Sequence, residues 1–296
     1  MNEETKNALK NARFFFPGET CQHWEKMHVF SLRFKPDKLL VYQDIFMFDK
    51  YDVSSIPCKK YLLLPVHSAY LPHNLLQFDK GINGECLTLK QLPFFHKIAT
   101  FSQFGVEVLK IFGYESKFIN HIVDADFFYN MNCKNEVRVK YNIGKPDDFV
   151  CLMVARNSEP SDRKAYIYQL KAFADFAKDK TNVKLVIHNN YTGDKPGVNM
   201  DMLIANLNIG EKVVKTDQTF RSNEHVRDLY QASDVLLCAS KSEGFGLPMV
   251  EAQFCDLMVI TTNCTAMPEN TYYGICTEPE TVSHTINGIH AWSNPS

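Results

Sequence analysis

Two glutamates, Glu243 and Glu251, flank a Gly-Phe-Gly turn within Ser240-Lys-Ser-Glu-Gly-Phe-Gly-Leu-Pro-Met-Val-Glu-Ala-Gln253. Gly244 and Gly246 allow the backbone to approach a ligand closely, and Pro248, near the start of the helical stretch that follows, gives up no intrahelical donor. The main-chain NH groups around Phe245, Gly246 and Leu247 then point out of the loop at the positive end of the helix dipole, which makes an anion site. A phosphate held there leaves the two carboxylates to accept hydrogen bonds from hydroxyls on either side, such as a ribose and a sugar ring. On the loop alone, an ordinary strand-loop-helix turn with two surface glutamates fits equally well.

A turn of this kind needs a strand before it and a helix after it, and the second half of the chain supplies both repeatedly. Strands are expected at 149–155, 183–188, 212–216, 234–239 and 257–261. Helices are expected at 164–178, 200–207, 223–232 and 247–254. In the first of these helices Ile167, Leu170, Phe173, Ala174 and Ala177 recur at helical spacing and form one apolar stripe. Alternation with short connections predicts a Rossmann-like domain, a parallel sheet whose ligands sit at the carboxyl ends of its strands. The first half is less regular, with strands expected at 37–43, 60–66, 97–100 and 117–120 and a helix at 104–112, a smaller α/β unit. Gly, Pro and Asp gather at 141–148, so the boundary is drawn there, giving domains 1–147 and 148–296.

Composition narrows the functions available. The chain has 296 residues, 45% of them hydrophobic, and 32 basic against 34 acidic residues leave a formal charge of −2. Neither a disordered polyelectrolyte nor a basic nucleic-acid binder fits. No apolar run has the length of a membrane span, and the opening residues do not have the pattern of a signal peptide, so a cytoplasmic protein is expected. The nine cysteines are odd in number and scattered, which argues for reduced thiols and against a zinc pair. Without HExxH or an acidic cluster, no metal site is expected.

The stretch Glu243-Gly-Phe-Gly-Leu-Pro-Met-Val-Glu251 resembles the E-x7-E signature of glycosyltransferase family 4, retaining enzymes of the GT-B fold. Asp234-Val-Leu-Leu-Cys-Ala-Ser240 and Thr262-Asn-Cys-Thr-Ala-Met-Pro-Glu269 resemble the segments on either side of it. Ala155-Arg156-Asn157 with Arg163-Lys164 resembles the family's Arg and Lys, and Asn120-His-Ile-Val-Asp124 resembles the segment that ends its N-terminal domain. The resemblance implies two Rossmann-like domains facing a central cleft, the N-terminal one incomplete. It also implies a nucleotide-diphosphate sugar as co-substrate, no cofactor, and a glycan, lipid or small-molecule acceptor.

Residue by residue, the resemblance gives Glu251 the ribose, Glu243 the transferred sugar, and Arg156 and Lys164 the diphosphate, with Gly244, Phe245, Gly246 and Leu247 lining the donor cradle. A guanidinium and an ammonium suit the charge that builds on a leaving phosphate. Read without the family, Arg156 is a solvated charge at a strand end and Lys164 a lysine at a helix start. His67, which ends the strand at 60–66, stands where the family often places a histidine facing the donor sugar; a loop or core histidine is an equal reading. Gln43 and Asp44 read as a turn in preference to an acceptor contact. Relatives often work at membrane surfaces, yet Leu89-Lys-Gln-Leu-Pro-Phe-Phe-His-Lys97 is short, broken by Pro93, and reads as core or loop.

The chain departs from the family's pattern at its start and end, where an initial strand with a glycine-rich loop and the closing helices are not found, and at Ile122, where Gly is usual. An inactive or fragmentary relative that binds nucleotide sugar or a partner is therefore the alternative. A nicotinamide-dependent enzyme is disfavoured, because no GxGxxG follows a strand.

Overall fold

Burial alternates along Lys59–Leu64: Lys60, Leu62 and Leu64 are buried while Tyr61 and Leu63 are partly open, as in a strand with one face on a core. The computed structural model describes residues 31–42, 53–67, 91–159, 161–189, 197–216, 222–284 and 291–295. In it β1 (Lys38–Tyr42), β2 (Lys59–Leu64), β3 (Lys97–Thr100) and β4 (Lys117–Phe118) form a parallel sheet in that order. Helix α1 (Gln103–Ile111) lies between β3 and β4 and starts where Ser102 Oγ accepts the Gly105 NH at 3.0 Å. Val108 and Leu109 of α1 meet Val41, Leu62, Leu64 and Ile98 in the first core. Leu92 and Phe95 join the same core, so the described part of 89–97 is core and turn; residues 89 and 90, like Gln43 and Asp44, lie outside the described residues.

Helix α2 (Lys134–Tyr141) leads into the second sheet, built from β5 (Phe149–Ala155), β6 (Val183–Asn189), β7 (Val213–Lys215), β8 (Val235–Cys238), β9 (Met258–Thr262) and β10 (Gly274–Thr277). Its order is β10-β9-β8-β5-β6-β7, every pairing is parallel, and β5 matches β6 over seven residue pairs from Phe149↔Val183 to Ala155↔Asn189. The apolar run of β5 divides by parity. Val150 and Leu152 face Leu229, Met249 and Val259, while Cys151 and Met153 face Leu170, Phe173 and Ile204. Helices α3 (Tyr166–Ala177) and α4 (Met200–Asn206) cover this second face; α5 (Asn223–Ala232) and α6 (Leu247–Phe254) cover the first with α2. A short antiparallel pair, β11 (Pro279–His284) and β12 (Ala291–Pro295), follows.

Each expected strand and helix is present. The sequence reading omitted α2, β10 and the β11–β12 pair. Residues 134–148 are fastened to the second sheet by Arg138, whose fully buried guanidinium donates to the carbonyls of Ala232, Lys145, Pro146 and Asp148 and pairs with Asp234 at 2.7 Å. Among the described residues no helix is long and apolar enough to cross a membrane, and Cys58, Cys133, Cys151, Cys238, Cys255, Cys264 and Cys276 are free thiols.

Candidate functional site

In the second sheet, chain order runs from β5 outward to β6 and β7 on one side and from β8 to β9 and β10 on the other. The loops that leave the carboxyl ends of β5 and β8 diverge at this reversal, which is where an open α/β sheet forms its ligand crevice. The loop after β5 is set by Asp162. Its carboxylate caps α3 by accepting the NH groups of Tyr166 at 2.7 Å and Ile167 at 3.1 Å. Gln169, buried on α3, clips the two loops together: its amide donates to Lys164 O at 2.7 Å and its carbonyl accepts the Ala239 NH at 3.1 Å. Lys241 NH adds a bond to Arg163 O at 2.8 Å. Arg163 and Lys164 are thereby presented to the loop after β8.

There they meet Glu243. Lys164 Nζ lies 2.5 Å from Glu243 Oε1 and Arg163 Nη1 lies 3.4 Å from Oε2. Arg163 is itself braced, by Ser242 O at 3.0 Å and by both oxygens of Glu159 at 3.0 to 3.1 Å. Burial alone would push the Glu243 carboxyl up; the charges of Lys164 and Arg163, with hydrogen bonds from Lys164 and Ser240, bring it down to about 2. It is therefore a carboxylate held in a cationic pit. The main chain of this loop is pinned from the segment after β9, where Thr265 Oγ1 accepts the Glu243 NH at 2.9 Å. In the same segment the Ala266 NH donates to Glu243 O at 3.3 Å, and Asn270 Nδ2 to Phe245 O at 3.0 Å.

Gly246 takes φ +91°, a conformation that side chains rarely adopt, so the turn requires glycine; a Cβ there would also stand 2.6 Å from Met249 Sδ. The NH groups of Met249 and Val250 turn back to Gly246 O, and Pro248 has none, which leaves the Leu247 NH as the first-turn donor without an intrahelical acceptor. A Cβ on Gly244 would lie 3.2 Å from Pro65 Cβ and 3.5 Å from Val66 N, so the carboxyl end of β2 abuts the turn. Half-buried His67 follows directly. The Phe245 side chain is buried, its ring 5.3 Å from that of His121 and 6.5 Å from that of Phe101.

Glu251 occupies a different setting on α6. Its Oε2 accepts the hydroxyl of Tyr230, on α5, at 2.8 Å. Burial pushes its carboxyl above the ordinary value and the tyrosine hydrogen bond offsets part of that rise. Arg156 leaves β5 at the same crevice with an exposed side chain. Between the lobes, both oxygens of Glu269 accept from the first turn of α1, from the Gln103 NH at 2.7 Å and the Phe104 NH at 2.6 Å.

Glu243, Lys164 and residues 244–247 thus come together, with Arg156 at the neighbouring strand end, Glu251 further along α6 and His67 across the turn. The sequence reading did not anticipate Arg163 as a partner of Glu243, Tyr230 as the partner of Glu251, or Glu269 as a cap for α1. Arg163 had a local signal, a second cation beside Lys164. The other two depend on contacts that no local pattern carries. Among the described residues no group of three or more His, Cys, Asp or Glu is arranged to hold a metal.

The family profile described as glycosyl transferases group 1 matches residues 135–293. The serotype-specific mannosyltransferase WbdA of Escherichia coli is 32% identical over 127 residues, which cover 40% of this chain and 15% of the relative's length. The chain thus spans a small part of that relative. Among solved structures, HepE of Anabaena in complex with UDP-glucose aligns with a TM-score of 0.65 at 17% identity, over 86% of this chain and 68% of that one. Sucrose-phosphate synthase from Thermosynechococcus elongatus aligns at 0.63 and 17%, over 90% and 68%. The fold shared with them is the two-domain α/β architecture termed GT-B.

Proposed function

The chain belongs to the glycosyl transferases group 1 family, and from that premise we propose that it moves a glycosyl unit from a nucleotide-diphosphate sugar to a hydroxyl acceptor, with retention at the anomeric carbon. The observation that carries the reading is the cationic pit at the strand-order reversal. Lys164 and Arg163 converge there on Glu243, beside a glycine turn that opens a helix. A diphosphate entering the crevice would compete with Glu243 for Lys164 and take Arg156 from the neighbouring strand end, while the Leu247 NH adds a donor at the positive end of α6.

In this reading charge growing on the leaving phosphate is met by cations already in place, which lowers the barrier without reorganising solvent. Glu243, released from Lys164 but still beside Arg163, accepts hydroxyls of the transferred sugar. Glu251 accepts those of the ribose, and His67 faces the sugar from the first lobe. Departure and attack share one face, and the leaving phosphate takes the acceptor's proton, so the O–H bond breaks as the new glycosidic bond forms. We propose that this requires neither a metal nor a further cofactor, and transfer should survive chelation.

HepE is described with UDP-glucose and WbdA as a mannosyltransferase, so UDP-glucose and a nucleotide-activated mannose are the donors to try first. UDP or GDP should raise the unfolding temperature, and Glu251→Ala should weaken that effect. Protection by neither nucleotide would overturn the reading. Nucleotide binding without transfer to any of a panel of glycan, lipid and small-molecule acceptors would favour the binding-only alternative.

A further inference from the structure

The hydroxyl of Tyr230 is a buried polar group with one partner in view, Glu251 Oε2 at 2.8 Å, and the tyrosine is 1% exposed. Its ring is fixed in the core that α5 and α6 share, 6.1 Å from the ring of Phe128. A carboxylate offers about four acceptor sites, and a donor fixed in a packed helix fills one of them while dictating where the others point. We propose that Tyr230 is a positioning residue for the donor: it locks the orientation of Glu251, so that the carboxylate meets a nucleotide with its remaining acceptor sites already aimed. This rests on the reading of Glu251 as the ribose-binding residue.

Electrostatics around the pair agrees with the geometry. Burial is the larger influence on Glu251 and opposes its charge; the Tyr230 hydrogen bond opposes burial. Burial also holds the Tyr230 hydroxyl well above its ordinary range, so it stays a donor. The other ionisable neighbours are the thiols of Cys238, on β8, and Cys255, just past α6, which burial raises to about 12 and about 11 and which are therefore uncharged. Arg227 and Asp256 act on Cys255 with opposite signs. Phenylalanine at position 230 would keep the ring and its packing and remove only the donor, leaving the burial penalty on Glu251 unopposed.

The test is calorimetric titration of UDP and GDP into the wild-type protein, Tyr230→Phe, Glu251→Gln and the double variant. Tyr230→Phe should bind about tenfold more weakly, as for loss of a hydrogen bond to a charged group. The deficit should widen as pH is lowered from about 8 to about 6, because a carboxyl without its stabilising donor protonates earlier. Donor KM should rise with kcat nearly unchanged. In the Glu251→Gln background the same replacement should have no further effect, whereas a merely structural role would weaken both backgrounds alike. Equal affinity of the wild-type and Tyr230→Phe proteins, or an equal loss in both backgrounds, overturns this inference alone. Absence of binding by the wild-type protein overturns the functional reading and this inference with it.

Discussion

Glu243 stands before the glycine turn and Glu251 inside the helix that follows it, and both are largely withdrawn from water, yet their surroundings drive their ionisation in opposite directions. Around Glu243 two cations outweigh burial and hold the carboxyl at about 2; around Glu251 one neutral hydroxyl only offsets burial in part. Desolvation does not by itself set the charge of a buried acid. The number and formal charge of its partners decide, and here the difference separates an acid tied into an ion cluster from one held by a single neutral donor.

The largest way to break the comparison is to neutralise each acid in turn. Glu243→Gln leaves the mostly buried Lys164 without its counter-charge and Arg163 with Glu159 alone, and should cost about 3 kcal/mol in urea unfolding. It should also lower transfer by about a hundredfold or more, a loss typical of a preorganised site group. Glu251→Gln should leave stability nearly unchanged or raise it, and should act chiefly on nucleotide affinity. Equal destabilisation by the two replacements would abolish the distinction.

Stability against pH sharpens it further. The folded-state value of Glu243 lies below its ordinary one, so its contribution is complete above about 4.5 and disappears as pH falls towards about 2. For Glu251 the folded-state value is raised, so the unfolded chain loses its proton first and stability declines as pH rises through that window. Unfolding curves collected from about pH 2 to pH 7 should show the two slopes. Glu243→Gln should erase the acidic one and Glu251→Gln the other.

Glu269 offers a third setting for a carboxylate, since main-chain NH groups hold it and no cation is required. Glu269→Gln keeps one good acceptor and should cost about 1 kcal/mol, the usual worth of a helix cap. That is a smaller loss than the one expected of Glu243→Gln, and unfolding in urea would read it as a small decrease in the midpoint.

Much of this was legible in the sequence. The short apolar run at 149–155 and the stripe Ile167, Leu170, Phe173 and Ala177 give the second sheet and its covering helix, because run length and helix period are local properties. The glycine turn and its flanking acids were equally plain. Helix α2 was hidden because its deepest residue is Arg138, a charge in a position where periodicity looks for an apolar side chain. Strand β10 was hidden because it is an edge strand with Gly274 and Ile275 exposed. At the site, Lys164 was identifiable by type, but its engagement with Glu243 follows from the Gln169 clip between two loops, which no local pattern carries.

The placement of Glu269 has a mechanical consequence. The carboxylate belongs to one lobe and the two NH groups it satisfies belong to the other, so any parting of the lobes hands those donors to water. Its neighbours Thr265, Ala266 and Asn270 grip the main chain at Glu243 and Phe245, so the same excursion pulls on the floor of the pit. Under the proposed function, discharging a spent nucleotide and resetting the pit for the next one would be one coupled stroke.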